Sequence, residues 1–201
     1  GSISFDFVPL PRIVQASPVF GSAICDVDGD GNLDIYVVQN FSGPQRETGY
    51  MYGGASHLLM GDGKSNFTPI DPSESGLLVS GDAKSLPTHD LNQDGRVDLF
   101  IVVNNGRLQS VINDTDSKSI ALNITKYNDG RAYNGAKVRV YYEDNGIQMH
   151  EIVAGGGYLS QSAPLVFIGN KNNIKCISIT WPDGTEDQVN DYKTLNGLSS
   201  L

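Results

Sequence analysis

Two nine-residue stretches concentrate the chemistry of this chain. Asp26-Val27-Asp28-Gly29-Asp30-Gly31-Asn32-Leu33-Asp34 runs into Ile35-Tyr36-Val37-Val38. Sixty-four residues on, Asp90-Leu91-Asn92-Gln93-Asp94-Gly95-Arg96-Val97-Asp98 runs into Leu99-Phe100-Ile101-Val102. Both read D-x-[DN]-x-D-G-x-x-D ahead of an aliphatic run. Oxygens at alternate positions of a tight loop suit a hard cation, because calcium takes about 6–8 oxygen ligands at about 2.3–2.6 Å from flexible donors. The expected ligands are the side chains of Asp26, Asp28, Asp30 and Asp34 with the backbone carbonyl of Asn32. In the second loop they are the side chains of Asp90, Asn92, Asp94 and Asp98 with the backbone carbonyl of Arg96. Two Ca2+ ions are expected, the first held more tightly because Asn92 costs the second loop one charge. Gly31 and Gly95 allow the sharp bend. The loops are not EF-hands: position twelve is Val37 or Ile101, where an EF-hand needs Glu, and strands rather than helices flank them.

No other constellation competes. GxSxG, HExxH and papain-like cysteine patterns do not occur, and no catalytic residue is expected. His57, His89 and His150 lack metal-ligand spacing. Gly155-Gly156-Gly157 lacks the P-loop spacing and reads as a bend. Trp181-Pro182-Asp183-Gly184 reads as a strand end entering a turn, with Trp181 covering a core edge. Tyr50, Tyr52 and Tyr158 could line a ligand surface, but packing is the default for aromatic residues of β structure. Cys25 and Cys176 have no CxxC neighbour and sit in apolar runs, so two buried free thiols are expected.

The elements that must position the acidic loops read as β throughout. No 3.6-residue apolar period persists over three turns; short β-rich runs recur instead. The clearest are 33–38, 97–103, 119–125, 136–142, 146–154 and 174–181. Asp62-Gly63, Asp129-Gly130, Asn134-Gly135, Asn145-Gly146 and Asp183-Gly184 mark turns between them. The stretch Asn113 to Lys118 is polar and divides acid-rich loops before it from hairpins after it. The expected domains are therefore 3–113, a linker at 114–118, a second β domain at 119–190 and a tail at 191–201 with room for one helical turn. Calcium belongs only to the first part, and the two halves are expected to fold separately. Gly1-Ser2 has the form of a tag-cleavage remnant and is set aside. With 201 residues and a formal net charge of -9, the chain is a poor partner for nucleic acid or anionic lipid. It has no apolar run of the ~20 residues that membrane insertion takes. N-x-[ST] triplets begin at Asn40, Asn66, Asn113 and Asn123.

The two acidic loops, with His57-Leu58-Leu59-Met60-Gly61-Asp62-Gly63 and Asn66-Phe67-Thr68-Pro69 between them, resemble FG-GAP/VCBS repeats, the blades of integrin-α-like β-propellers. The resemblance covers about residues 16 to 113. Tyr133-Asn134-Gly135-Ala136-Lys137-Val138, then Gly155-Gly156-Gly157-Tyr158-Leu159-Ser160-Gln161-Ser162, then Trp181-Pro182-Asp183-Gly184 resemble in that order the ASPIC/UnbV domain. That domain follows FG-GAP repeats in the cartilage acidic protein family and its bacterial secreted relatives. One departure is Phe167-Ile168-Gly169-Asn170, where the family often has Phe-Gly-Leu-Gly.

The resemblance implies an all-β fold of two β-propeller-type blades followed by a small β-sandwich-like domain. It implies a non-enzymatic calcium-binding module, secreted or at the cell surface (extracellular or periplasmic), that binds an extracellular protein or glycan in adhesion-type interactions. The alternative is an accessory or catalytic part of a carbohydrate-active enzyme. Two blades do not close a propeller, which typically has about 4–8. The remaining blades are therefore expected upstream in a longer chain.

Overall fold

A computed structural model describes residues 4–192. Within it the chain is all-β, with four antiparallel sheets and only short helical turns. The first blade is a four-stranded meander of β1 (Val19–Cys25), β2 (Asp34–Gln39), β3 (His57–Gly61) and β4 (Phe67–Pro69). Its middle strand β2 is buried on both faces, as a blade stacked between layers requires. Tyr36 and Val38 face one apolar cluster, while Val37 packs with Val14 and Leu59 in another. The second of these is closed by the 3-10 turn Arg12–Ala16, pinned where Gln39 donates to the carbonyls of Val14 and Ser17.

The second blade repeats the first at the same offset. β5 (Ala83–Ser85) and β6 (Thr88–His89) together stand where β1 stands, and β7 (Asp98–Val103) stands where β2 stands. Leu86-Pro87 interrupts the first of these, because proline has no N–H for the ladder; the Pro87 carbonyl still accepts from Phe100 N at 3.0 Å. β8 (Gln109–Val111) pairs with the other edge of β7. No fourth strand follows among the described residues, so the second blade is shorter than the first. The loops between second and third strands differ most: residues 40–56 in the first blade, 104–108 in the second.

The longer loop is clamped at its root. Asn40 adopts φ +86°. Its Nδ2 donates to the carbonyls of Gly54 (2.8 Å) and Gly81 (2.9 Å), and its Oδ1 accepts from Gly54 N (2.9 Å). The residue is only 1 % exposed.

The C-terminal part is a small sandwich. Its four-stranded sheet runs β11 (Ile147–Glu151), β10 (Lys137–Tyr142), β13 (Ile174–Thr180), β14 (Glu186–Val189). Opposite it, β9 (Ile120–Asn123) pairs with β12 (Leu165–Ile168). The hairpin at Asn145-Gly146 forms as expected, but β11 ends at Glu151, three residues short of the expected strand. Trp181 is 2 % exposed. Its Nε1 donates to Asp187 at 2.8 Å, and the Arg131 guanidinium lies 4.5 Å from its ring centroid. Trp181 thus belongs to the C-terminal core, in line with its expected place at a core edge. Cys25 is buried as expected, whereas Cys176 is partly exposed; both are free thiols. Of the expected tail, residues 193–201 lie outside the described residues.

The strands of the small sheet alternate between two cores. Ile120, Leu122, Val166 and Ile168 point into the C-terminal core, while Ala121 and Phe167 join the core of the blades. The period of two thus makes β9 and β12 a shared wall. The polar stretch 114–118 also packs: a Cβ added at Gly29 would lie 2.6 Å from the Ser117 Cβ. The halves of this chain are joined more closely than a composition shift alone implies.

Candidate metal centre

Each acidic loop links an outer strand to a buried strand of its blade, and its first and last aspartates close the bend. In the first loop, Asp26 accepts from Gly29 N at 2.7 Å and Gly31 N at 2.8 Å. Asp34 accepts from Val27 N and from Gly61 N, both at 2.8 Å, which ties the loop to β3. Gly29 and Gly31 take φ of +75° and +96°, the left-handed region that favours glycine. These bonds turn the carboxylates inward. Asp26, Asp28 and Asp34 each bring a ligand oxygen within 4.8 Å of the others. No second trio of this kind is found among the described residues. Asp30 turns outward instead, accepting from the backbone (2.7 Å) and side-chain (2.9 Å) nitrogens of Asn32.

Burial sets the electrostatics. Asp26 and Asp34 are 2 % and 1 % exposed. Burial pushes the Asp26 carboxyl up from 3.8 to about 7, against the bonds from Gly31 and Gly29 that favour its charge, with Asp30 and Asp28 adding to the rise. Asp34 is raised by burial in the same way. Three hard oxygen donors crowded in this manner, two of them shielded from water, are a donor set suited to a divalent cation. An ion there would supply the positive charge that the loop itself lacks.

The second loop keeps the frame and differs in detail. Asp90 accepts from Asp94 N and Gly95 N, both at 3.0 Å. Asp98 accepts from Leu91 N at 2.6 Å and Asn113 N at 2.8 Å. Asp90, too, is raised by burial. Asp94, however, is paired with the Arg96 guanidinium at 2.5 Å and accepts from Asn92 Nδ2 at 2.7 Å. A cation in this loop competes with Arg96 for Asp94. Arg96→Gln is therefore expected to tighten the binding of any divalent cation taken by this loop by about threefold, the scale of one partly exposed ion pair, as read by calorimetric titration.

The sequence motif gives no sign of how firmly the first loop is held by distant parts of the chain, from the end of the second blade to the C-terminal half. Asn113 Nδ2 donates to the Val27 carbonyl at 2.8 Å, with Thr115 Oγ1 beside it at 3.3 Å. Asn170 N donates to the Gly29 carbonyl at 2.9 Å, and Gln148 Nε2 donates to the Gly31 carbonyl. A Cβ at Gly169 would lie 1.8 Å from Asp26 Oδ2, so only glycine fits there. The glycine in Phe167-Ile168-Gly169-Asn170 is the one local signal of this contact. No histidine joins the carboxylate trio among the described residues, and burial lowers His57 and lowers His150 to about 4.

The FG-GAP-like repeat family matches residues 26–101, and the family described as ASPIC and UnbV matches residues 126–198. Cartilage acidic protein 1 of Xenopus tropicalis is 24% identical over 190 residues, covering 92% of this chain and 28% of that protein. The Homo sapiens protein of the same name is 23% identical over 193 residues with the same coverage of both chains. The chain thus spans under a third of the length of the curated relatives it matches.

Proposed function

From a chain that carries an FG-GAP-like repeat segment followed by an ASPIC and UnbV segment, we propose a calcium-stabilised extracellular interaction module with no catalysis of its own. The observation that carries the calcium reading is the convergence of Asp26, Asp28 and Asp34 oxygens within 4.8 Å of one another. Carboxylates so placed repel, and a divalent ion converts that repulsion into attraction. Asp30 belongs to the rim, and the backbone carbonyls of Asn32 and Arg96 complete the two shells. The second ion, in the loop of Asp90, Asn92, Asp94 and Asp98, is the weaker. Secretion or surface display fits the weak affinities, about 10⁻⁴–10⁻³ M, at which extracellular modules take calcium. No helix among the described residues is long and apolar enough to cross a membrane. The adhesion role, a protein or glycan partner and the further blades of a longer chain belong to the same reading.

The test is a thermal melt in excess calcium and in EDTA, paired with elemental analysis. A higher melting temperature with calcium and close to two ions per chain are expected. Equal melting temperatures with no bound metal would falsify the reading.

A further inference from the structure

At the end of the blades opposite the acidic loops, the two loops between second and third strands face each other across a cleft of about 500 Å³, lined among others by Tyr50, Tyr52, Ser42, Asp82, Asn104 and Asn105. We propose that this cleft binds a neutral sugar residue of an oligosaccharide, with the tyrosine rings as the stacking platform. The proposal deepens the interaction part of the reading above and is independent of its calcium part. The acidic loops precede β2 and β7 and the cleft follows them, roughly 20 Å away along six-residue strands.

The tyrosine pair is built, not incidental. Phe41 and Met51 exchange backbone hydrogen bonds of 3.0 and 2.9 Å, a single antiparallel bridge across the long loop. Extended backbone alternates, so Tyr50 and Tyr52 fall on the same side of the chain, flanking Met51. Their rings stack with centroids 5.7 Å apart and planes 23° apart. They remain 77 % and 50 % exposed, although packing against a core is the usual fate of such residues. The Asn40 clamp and the bond from Ser17 Oγ to the Met51 carbonyl at 2.9 Å hold the loop in place.

The polar wall is equally fixed. Asp82 is 2 % exposed. It accepts from the backbone and hydroxyl of Ser42 and from Asn104 Nδ2, and pairs with Lys84. Burial alone would raise its carboxyl, but Asn104, Lys84 and Ser42 hold it down at about 2. Lys84 in turn donates to the Asn40 carbonyl at 2.8 Å and sits 3.2 Å from the Phe20 ring centroid. Charge is thus balanced inside the wall. What faces the cleft is an apolar ring surface beside amides and a hydroxyl. A pyranose offers the matching pair of surfaces, an apolar C–H face and hydroxyls at its rim. A net charge of -9 disfavours acidic glycans, which leaves neutral ones.

The test applies the full chain in calcium to a glycan array, then titrates soluble cello-, malto-, xylo- and chito-oligosaccharides by calorimetry. At least one neutral class is expected to bind. Tyr52→Ala should weaken it at least about tenfold, whereas Tyr52→Phe, which keeps the ring, should retain most of it. Both tyrosines are exposed, so neither variant should shift the melting temperature, and that is checked alongside. No binding by any class, or binding unchanged in the Tyr50→Ala/Tyr52→Ala double variant, overturns the proposal. Calcium uptake is measured on the same preparation. Sugar binding without calcium uptake supports this site while sinking the metal reading; calcium uptake without sugar binding does the reverse.

Discussion

On the proposed calcium reading, chelation will lower the melting temperature reported by Trp181, a residue of the C-terminal core far along the chain from both acidic loops. Trp181 is the one tryptophan in the chain, so its fluorescence reads that core alone. If the halves were independent, the signal would ignore the metal. The first loop, however, is gripped at the carbonyls of Gly29 and Gly31 by Asn170 and Gln148 of the C-terminal half, and the wall of β9 and β12 belongs to both cores. An ion that binds only the native loop stabilises by RT ln(1 + [L]/Kd), about 2.7 kcal/mol when calcium is 100-fold above Kd. For a chain of this size that amounts to about 5–10 °C. A Trp181 transition that does not move with EDTA, while a far-ultraviolet signal does, would show the halves to be uncoupled. The sequence-based expectation of separate folding units would then stand.

Asp26→Ala should be the most damaging single change in either loop. It removes a ligand and also strands the N–H groups of Gly29 and Gly31 beneath the C-terminal half. Removing one partner from a buried, charged hydrogen-bonded set costs about 3–5 kcal/mol. Asp30→Ala loses only exposed contacts to Asn32, worth about 1 kcal/mol or less. Urea denaturation in calcium measures both, and equal losses would show Asp30 to be as much a ligand as Asp26. The same carboxyl fixes a pH dependence. Burial raises Asp26 from 3.8 to about 7, so between those values the folded apo chain holds more protons than the unfolded one. The Asp26 contribution to stability in EDTA therefore falls as pH rises from about 4 to about 7, and it is read as the difference from Asp26→Asn because the lowered His150 contributes the opposite slope in the same window. Calcium requires the ionised form and reverses the trend, so its stabilising increment should grow across the same window.

The bend of the acidic loops was legible because it is local: acids at fixed offsets in a loop that glycine lets turn need no knowledge of distant chain. The two blades followed for the same reason, since the offset that repeats the acids also repeats β1 and β2 as β5, β6 and β7. The orientation of Asp30 was not legible, since only the structure shows its bonds to Asn32. Trp181 and the pair Tyr50 and Tyr52 were equally ambiguous, because an aromatic residue in β context packs or projects according to what lies across from it. The grip on the first loop was hidden most completely. Gln148 and Asn170 reach it from over a hundred residues away, and no local pattern distinguishes them from any other polar residue near a turn.

Asn40 heads an Asn-Phe-Ser acceptor triplet, yet its amide nitrogen is spent inside the joint between two blades, on the carbonyls of Gly54 and Gly81. A glycan attached at that nitrogen would take away one of these donors and force a branched polymer into a seam with 1 % exposure. In a secretory pathway that modifies nascent chains, the blade and the sugar-transferring enzyme therefore compete for one atom. Whichever acts first excludes the other, and a chain modified at Asn40 cannot close its first blade against its second. The order of events during biosynthesis, rather than any property of the finished molecule, then decides how much of the protein reaches its native form.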